Sequence, residues 1–116
     1  MEQTPSHLQA RVVEIVASVG TGKPREVRVL LDEPGLKLAT IVLRGGAVLP
    51  EHRSEGPATI VALQGSGAVI AGAERLPIDP THAVLLASGV RHSVEPDAGS
   101  DLVLLVHRFG RADAPG

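Results

Sequence analysis

The sequence predicts an all-β fold: a small sandwich or barrel of short antiparallel strands, preceded by one short α-helix. Three observations carry this. Apolar residues fall in runs of three to eight, many of them alternating with polar neighbours. Thirteen glycines and nine prolines punctuate those runs at the frequent corners such a fold requires. The periodicity also changes at Pro24, from helical spacing before it to strand spacing after it.

Residues 1–6 are polar and read as a flexible start. Leu8, Val12, Ile15, Val16 and Val19 then form a helical stripe, with Ser6 as N-cap and Gly20 with Gly22 as the stop. Their β-branched side chains leave a strand as the competing assignment. Beyond Pro24, Val27, Val29 and Leu31 alternate with polar residues. Asp32-Glu33-Pro34-Gly35 supplies a turn, and Leu36, Leu38 and Thr40–Leu43 complete a hairpin. Further runs follow at Thr59–Leu63, Ala68–Ala71, Leu76–Ile78, Ala83–Leu86, Ser93–Glu95 and Leu102–Phe109, each bounded by Gly, Pro, Asp or Ser. Residues 111–116 read as a flexible tail. One domain spans residues 7–110, with no internal repeat and no linker.

Composition removes several classes of function. The chain of 116 residues is 43% hydrophobic, enough for a single core. Phe109 is the one aromatic residue apart from the histidines, so there is no stacking platform for sugars or single-stranded nucleic acid. A net charge of -2 argues against a nucleic-acid partner. Cysteine is absent, which excludes disulfides and thiolate chemistry. No basic segment followed by an apolar run opens the chain, and no apolar stretch reaches the ~18 residues of a membrane span. The expectation is a cytoplasmic protein with no membrane partner.

Two glycine-spaced histidine segments hold the remaining information. The first runs from Gly46 through His52, Ser54 and Ala58 to Gly65. The second runs from Thr81 through Ala87 and Gly89 to His92 and Pro96. Together they resemble the two signature motifs of the cupin superfamily, G-xxxxx-H-x-H-xxx-E-xxxxxx-G and G-xxxxx-P-x-G-xx-H-xxx-N. Gly46, His52 and Gly65 match the first; Gly89 and His92 match the second. Val61-Ala-Leu-Gln-Gly65 is similar to the strand and turn that close the first motif in many cupins. The resemblance covers residues 36–109 and implies a double-stranded β-helix, or jelly roll, of the small single-domain type.

In the family, three imidazoles and a carboxylate converge on a divalent metal inside the barrel, each reaching it at about 2.0–2.2 Å. Here the second histidine of the first motif is Ser54 and the glutamate is Ala58. The expected inventory is therefore His52 and His92 facing one another, Ser54 beside them, and an apolar wall of Ala58, Ile60 and Ala62. Two imidazoles would hold a divalent metal weakly or not at all. Glu55, re-aimed by a bulge at Gly56-Pro57, and His107 on the last strand are candidate replacement ligands. His82 reads as a surface residue and His7 as solvated. No nucleophile elbow or phosphate loop is present.

The reading that results is a small-molecule-binding or regulatory and structural protein, its ligand at His52, Ser54 and His92. The alternative is a metal-dependent oxygenase or isomerase working through His52 and His92. Family resemblance, together with more Val and Leu than one thin barrel must hide, implies a homodimer.

Overall fold

A computed structural model describes Ala10, residues 12–15 and residues 22–110. Among the described residues nine strands follow in order: β1 (Arg25–Glu33), β2 (Leu36–Leu43), β3 (Leu49–His52), β4 (Ala58–Gln64), β5 (Gly67–Ala71), β6 (Glu74–Ile78), β7 (Val84–Leu86), β8 (His92–Pro96) and β9 (Leu102–Phe109). They form two antiparallel sheets, one of order β1-β2-β9-β4-β7 and one of order β3-β8-β5-β6. From β6 onward the chain crosses between the sheets at every step, as a jelly roll does. Most of the helix expected from Leu8 to Val19, and both tails expected to be flexible, lie outside the described residues. Ala10 and Val12–Ile15 carry no regular secondary structure. No helix among the described residues is long and apolar enough to cross a membrane.

The hairpin of β1 and β2 turns at Pro34-Gly35. Proline sets the first turn position, and Gly35, at φ 86°, takes a second position that L side chains rarely adopt. β2 and β9 then pair along their whole length, from Leu36 opposite Phe109 to Leu43 opposite Leu102. Because side chains alternate along a strand, this register puts Ile41 and Leu43 on the same face as Leu102, Leu104 and Val106. Ile60 and Ala62 of β4 join them opposite Val106 and Leu104. Val69, Ile78 and Val94 close the core from the facing sheet. Leu43, Ile60, Ile78, Leu102, Leu104, Val69 and Val94 are fully buried. Each contributes roughly 1.5–3 kcal/mol relative to an exposed side chain.

The registers also align the strand ends. His52, Ala58, His92 and Arg108 share one end of the sandwich; Leu43, Gln64, Pro96 and Leu102 share the other. At the second end Gly65 and Gly67 let backbones meet closely: a Cβ on Gly65 would lie 2.1 Å from the Asp101 carbonyl oxygen.

Candidate functional site

The His52–Arg108 end holds the polar residues. His52 ends β3 and His92 starts β8, and the two are paired across the ladder, so their side chains share a face. Their ring centroids lie 4.2 Å apart at an interplanar angle of 58°. Each ring is fixed by the carbonyl two residues earlier. His52 Nδ1 lies 3.0 Å from the Pro50 oxygen, and His92 Nδ1 lies 3.1 Å from the Val90 oxygen. A carbonyl can only accept, so Nδ1 carries the proton in both rings. Nε2 of each neutral ring is left as a free lone pair. His92 is 4% exposed, and burial holds its imidazole below the ordinary range. The hydrogen bond to Val90 opposes that shift, while the charges of His52 and Arg108 add to it.

Ser54 lines the same small cavity, but from a loop. The spacing to His52 suggested a continuing strand; instead β3 ends at His52. The Ser54 hydroxyl donates to the Gly56 carbonyl at 2.8 Å, a local bond that competes with strand pairing, and Pro57 offers no N–H to continue a ladder. The loop is held firmly. Gly89 N–H donates to the Ser54 carbonyl at 2.9 Å, Ser88 hydroxyl donates to the Glu55 carbonyl, and Phe109 N–H donates to the Pro57 carbonyl at 2.9 Å. Gly56 lies so close to β9 that a Cβ there would sit 1.8 Å from the Phe109 carbonyl oxygen.

The cavity wall contains Ile41, Leu49, Ala58, Ile60, Val106 and Arg108 besides the two histidines and Ser54. Its volume of about 10 Å³ suits one water-sized group. It adjoins a wider groove of about 680 Å³ at the mouth of the sandwich, lined by residues that include Lys37, Arg53, Glu55 and Phe109, and sharing Ser54 and Arg108 with the cavity. Arg108 had no place in the sequence reading. The alternation of β9 puts it inward with Leu102, Leu104 and Val106, and it stands directly opposite Ala58, where the family motif has its glutamate. No local signal marks it: β9 is apolar on both registers from Leu102 to Val106, and only its pairing with β2 and β4 fixes which face the cation takes.

The other candidates fall elsewhere. His107 faces away from the cavity, where its Nδ1 lies 3.0 Å from Thr59 Oγ1 and its ring stacks on Phe109 at 6.2 Å. Glu55 lines the outer groove and does not reach the cavity. His82 is exposed and pairs with Asp79 at 2.9 Å. The donor set therefore does not suit a tightly held divalent metal. It offers two imidazoles and a hydroxyl already engaged, with a guanidinium where a carboxylate would neutralise the ion. Among the described residues no group of three or more His, Cys, Asp or Glu could hold one.

Comparison with solved structures identifies the fold. A cupin superfamily protein of Desulfitobacterium hafniense DCB-2 superposes with a TM-score of 0.70 at 12% identity, covering 84% of each chain. A cupin 2 conserved barrel domain protein of Leptotrichia buccalis gives 0.71 at 19% identity, covering 80% of this chain and 44% of that one. A chain from the Rhodobacter sphaeroides complex of SigE with the anti-sigma ChrR gives 0.62 at 17% identity, covering 81% and 49%. No protein-family model and no curated protein matches the sequence. The protein has a cupin-type fold, and proteins of that fold carry out varied functions.

Proposed function

We propose that this protein binds a small organic molecule at the His52–His92 end of its barrel and holds no tightly bound metal there. The observation that carries the reading is the pair of imidazoles, each pinned through Nδ1 so that Nε2 is free, opening through Ser54 and Arg108 onto a groove of about 680 Å³. Two lone pairs with a fixed direction, on rigid strands, form a recognition element whether or not a reaction follows. The direct test is a small-molecule screen read by nitrogen NMR of the two imidazoles. Binders that shift the His52 and His92 Nε2 signals support the reading. A broad library that moves neither overturns it.

The metal-dependent alternative draws on the same two Nε2 lone pairs, and Arg108 weighs against it. Zinc should bind wild-type protein weakly and leave with one exchange into chelator. A stoichiometric metal that survives prolonged chelation would favour the alternative. We further propose a cytoplasmic homodimer. The edge strand β1 supports dimerisation, with Val27 57% and Val29 50% exposed. Light scattering at micromolar concentration should give twice the 12.0 kDa of the chain.

A further inference from the structure

One row of side chains crosses the five-stranded sheet at its open end. Lys37 of β2 stands opposite Arg108 of β9, and Arg108 stands opposite Ala58 of β4. Cross-strand partners share a face, so Lys37 and Arg108 are like charges side by side on the face that lines the barrel mouth. Asp32 of β1 stands opposite Lys37 on its other side and offsets the lysine, whereas Arg108 has Ala58 on its other side and no carboxylate in the row. Arg108 and Lys37 make no hydrogen bond or ion pair with any other described residue. Arg53 lines the same groove from the loop after β3, and among the described residues Glu33 and Glu55 are the carboxylates that line it with them. Neither glutamate lines the inner cavity, where Arg108 is the one permanently charged side chain among the described residues. Ala58 is the residue that makes room: a longer side chain there would occupy the space beside the guanidinium.

The inner cavity adds a second requirement. Its two Nε2 atoms accept hydrogen bonds, and its volume of about 10 Å³ fits a single hydroxyl. We propose that the ligand is a small hydroxylated carboxylate: its carboxylate lies against Arg108 and Lys37, and a hydroxyl on the neighbouring carbon enters the cavity and donates to His52 or His92. The inference rests on the binding site proposed above and names the class of molecule it takes. The Arg108 fork matches a carboxylate bidentately, and such charge-assisted bonds are the strong ones. The hydroxyl replaces the one water the cavity has room for.

Three four-carbon probes separate the parts of the claim: tartrate carries carboxylates and hydroxyls, succinate only carboxylates, erythritol only hydroxyls. Each is titrated into the full chain while the imidazole nitrogen signals and the Arg108 side-chain signal are followed. Tartrate should bind tightest, and the Arg108→Gln change should weaken it about tenfold or more, the loss expected for one charge-assisted contact. Lys37→Gln, at the exposed mouth, should weaken it less and leave the melting temperature unchanged, which covers the case of a misfolded Arg108 variant. Erythritol binding as tightly as tartrate, or tartrate binding that is indifferent to both substitutions, overturns the anionic ligand. It leaves the small-molecule site standing. Succinate equal to tartrate overturns the hydroxyl contact alone. If none of the three binds but the screen yields a neutral ligand, the anionic class is wrong and the site is right. If the screen is empty as well, both fall.

Discussion

The two ends of this sandwich are built from the same strands and finished with opposite chemistry. At the closed end β2, β4 and β9 contribute Leu43, Ala62 and Leu102, buried to 0%, 2% and 0% exposure. The turns there satisfy their own polar groups. Asp97 N–H donates to the Ser66 carbonyl at 2.9 Å, Ser66 N–H to Ser100 Oγ at 3.0 Å, and Gly45 N–H to Asp101 Oδ1 at 3.2 Å. At the open end the same strands contribute Lys37, Ala58 and Arg108, and β8 adds His92. Nothing in the jelly roll requires that asymmetry. An apolar plug would complete the core at either end, so polar groups kept at one end are retained at a cost in stability.

Truncation should expose the difference most. Leu102→Ala at the closed end removes a fully buried side chain that packs against the Gly67 backbone, and it should cost about 2–5 kcal/mol. Arg108→Leu, six residues along the same strand face, should be neutral or add about 1 kcal/mol, because it removes a cation facing Lys37 and two imidazoles. Urea denaturation of both variants measures the contrast. Comparable losses at the two ends would mean Arg108 is structural, and the site would lose its anchor.

A subtler contrast lies in metal affinity. Ser54→His with Ala58→Glu restores the ligand types of the cupin motif. That double change should raise zinc affinity, and adding Arg108→Gln should raise it about tenfold further, the factor given by about 1.4 kcal/mol of relieved repulsion. Calorimetric titration of the two variants tests this. If Arg108→Gln adds nothing, the guanidinium is not close enough to the ion to matter.

How much of this was legible depended on which physical signal each residue sends. The strands are legible because Val27, Val29 and Leu31 alternate with their neighbours, residues 41–43 and 102–106 are short apolar runs, and Gly and Pro mark the corners. Pairing of His52 with His92 was inferable from motif spacing to Gly46 and Gly89. Arg108 was not, since its role depends on the register of β9 against both β2 and β4, a long-range fact absent from any local window. Ser54 lines the cavity by a route its spacing does not imply. A regular strand would have aimed it there; the structure does so with a loop tied to Gly56 and Gly89. His107 left both faces open in the sequence, and its Thr59 contact fixes it outward.

Acid should distinguish the two ends as well. In the fold His92 stays neutral at pH values where the unfolded chain takes up a proton near 6.5. The unfolded state then binds more protons, so stability falls as pH falls. This contribution is whole above pH 6.5 and is lost as pH drops through the lower, folded value. His92→Gln should flatten that part of the stability profile between pH 7 and 5. A profile identical to wild type would show that burial does not shift this ring.

The smallest effect belongs to Asp79, in the turn between β6 and β7 on the closed side. Its Oδ1 accepts from the Thr81 N–H at 2.8 Å, the Thr81 hydroxyl at 2.7 Å and His82 Nδ1 at 2.9 Å. Those hydrogen bonds, His82 first, hold the carboxyl down at about 2 from 3.8. A depressed carboxylate stabilises the fold above its unfolded value, so this contribution is intact above pH 3.8 and disappears as pH falls toward 2. The turn is solvated, and exposed pairs contribute little, so Asp79→Asn should hardly change the midpoint of denaturation at pH 7. The carbon signal of the Asp79 carboxyl should nonetheless titrate near 2. In a His82→Gln variant it should move part of the way back toward 3.8, the remainder being held by Thr81. Titration at 3.8 in the wild type would mean that this turn is looser than its three contacts imply. The closed end would then owe its rigidity to Leu43, Leu102, the glycine contacts and the hydrogen bonds of Ser66, Ser100 and Asp101.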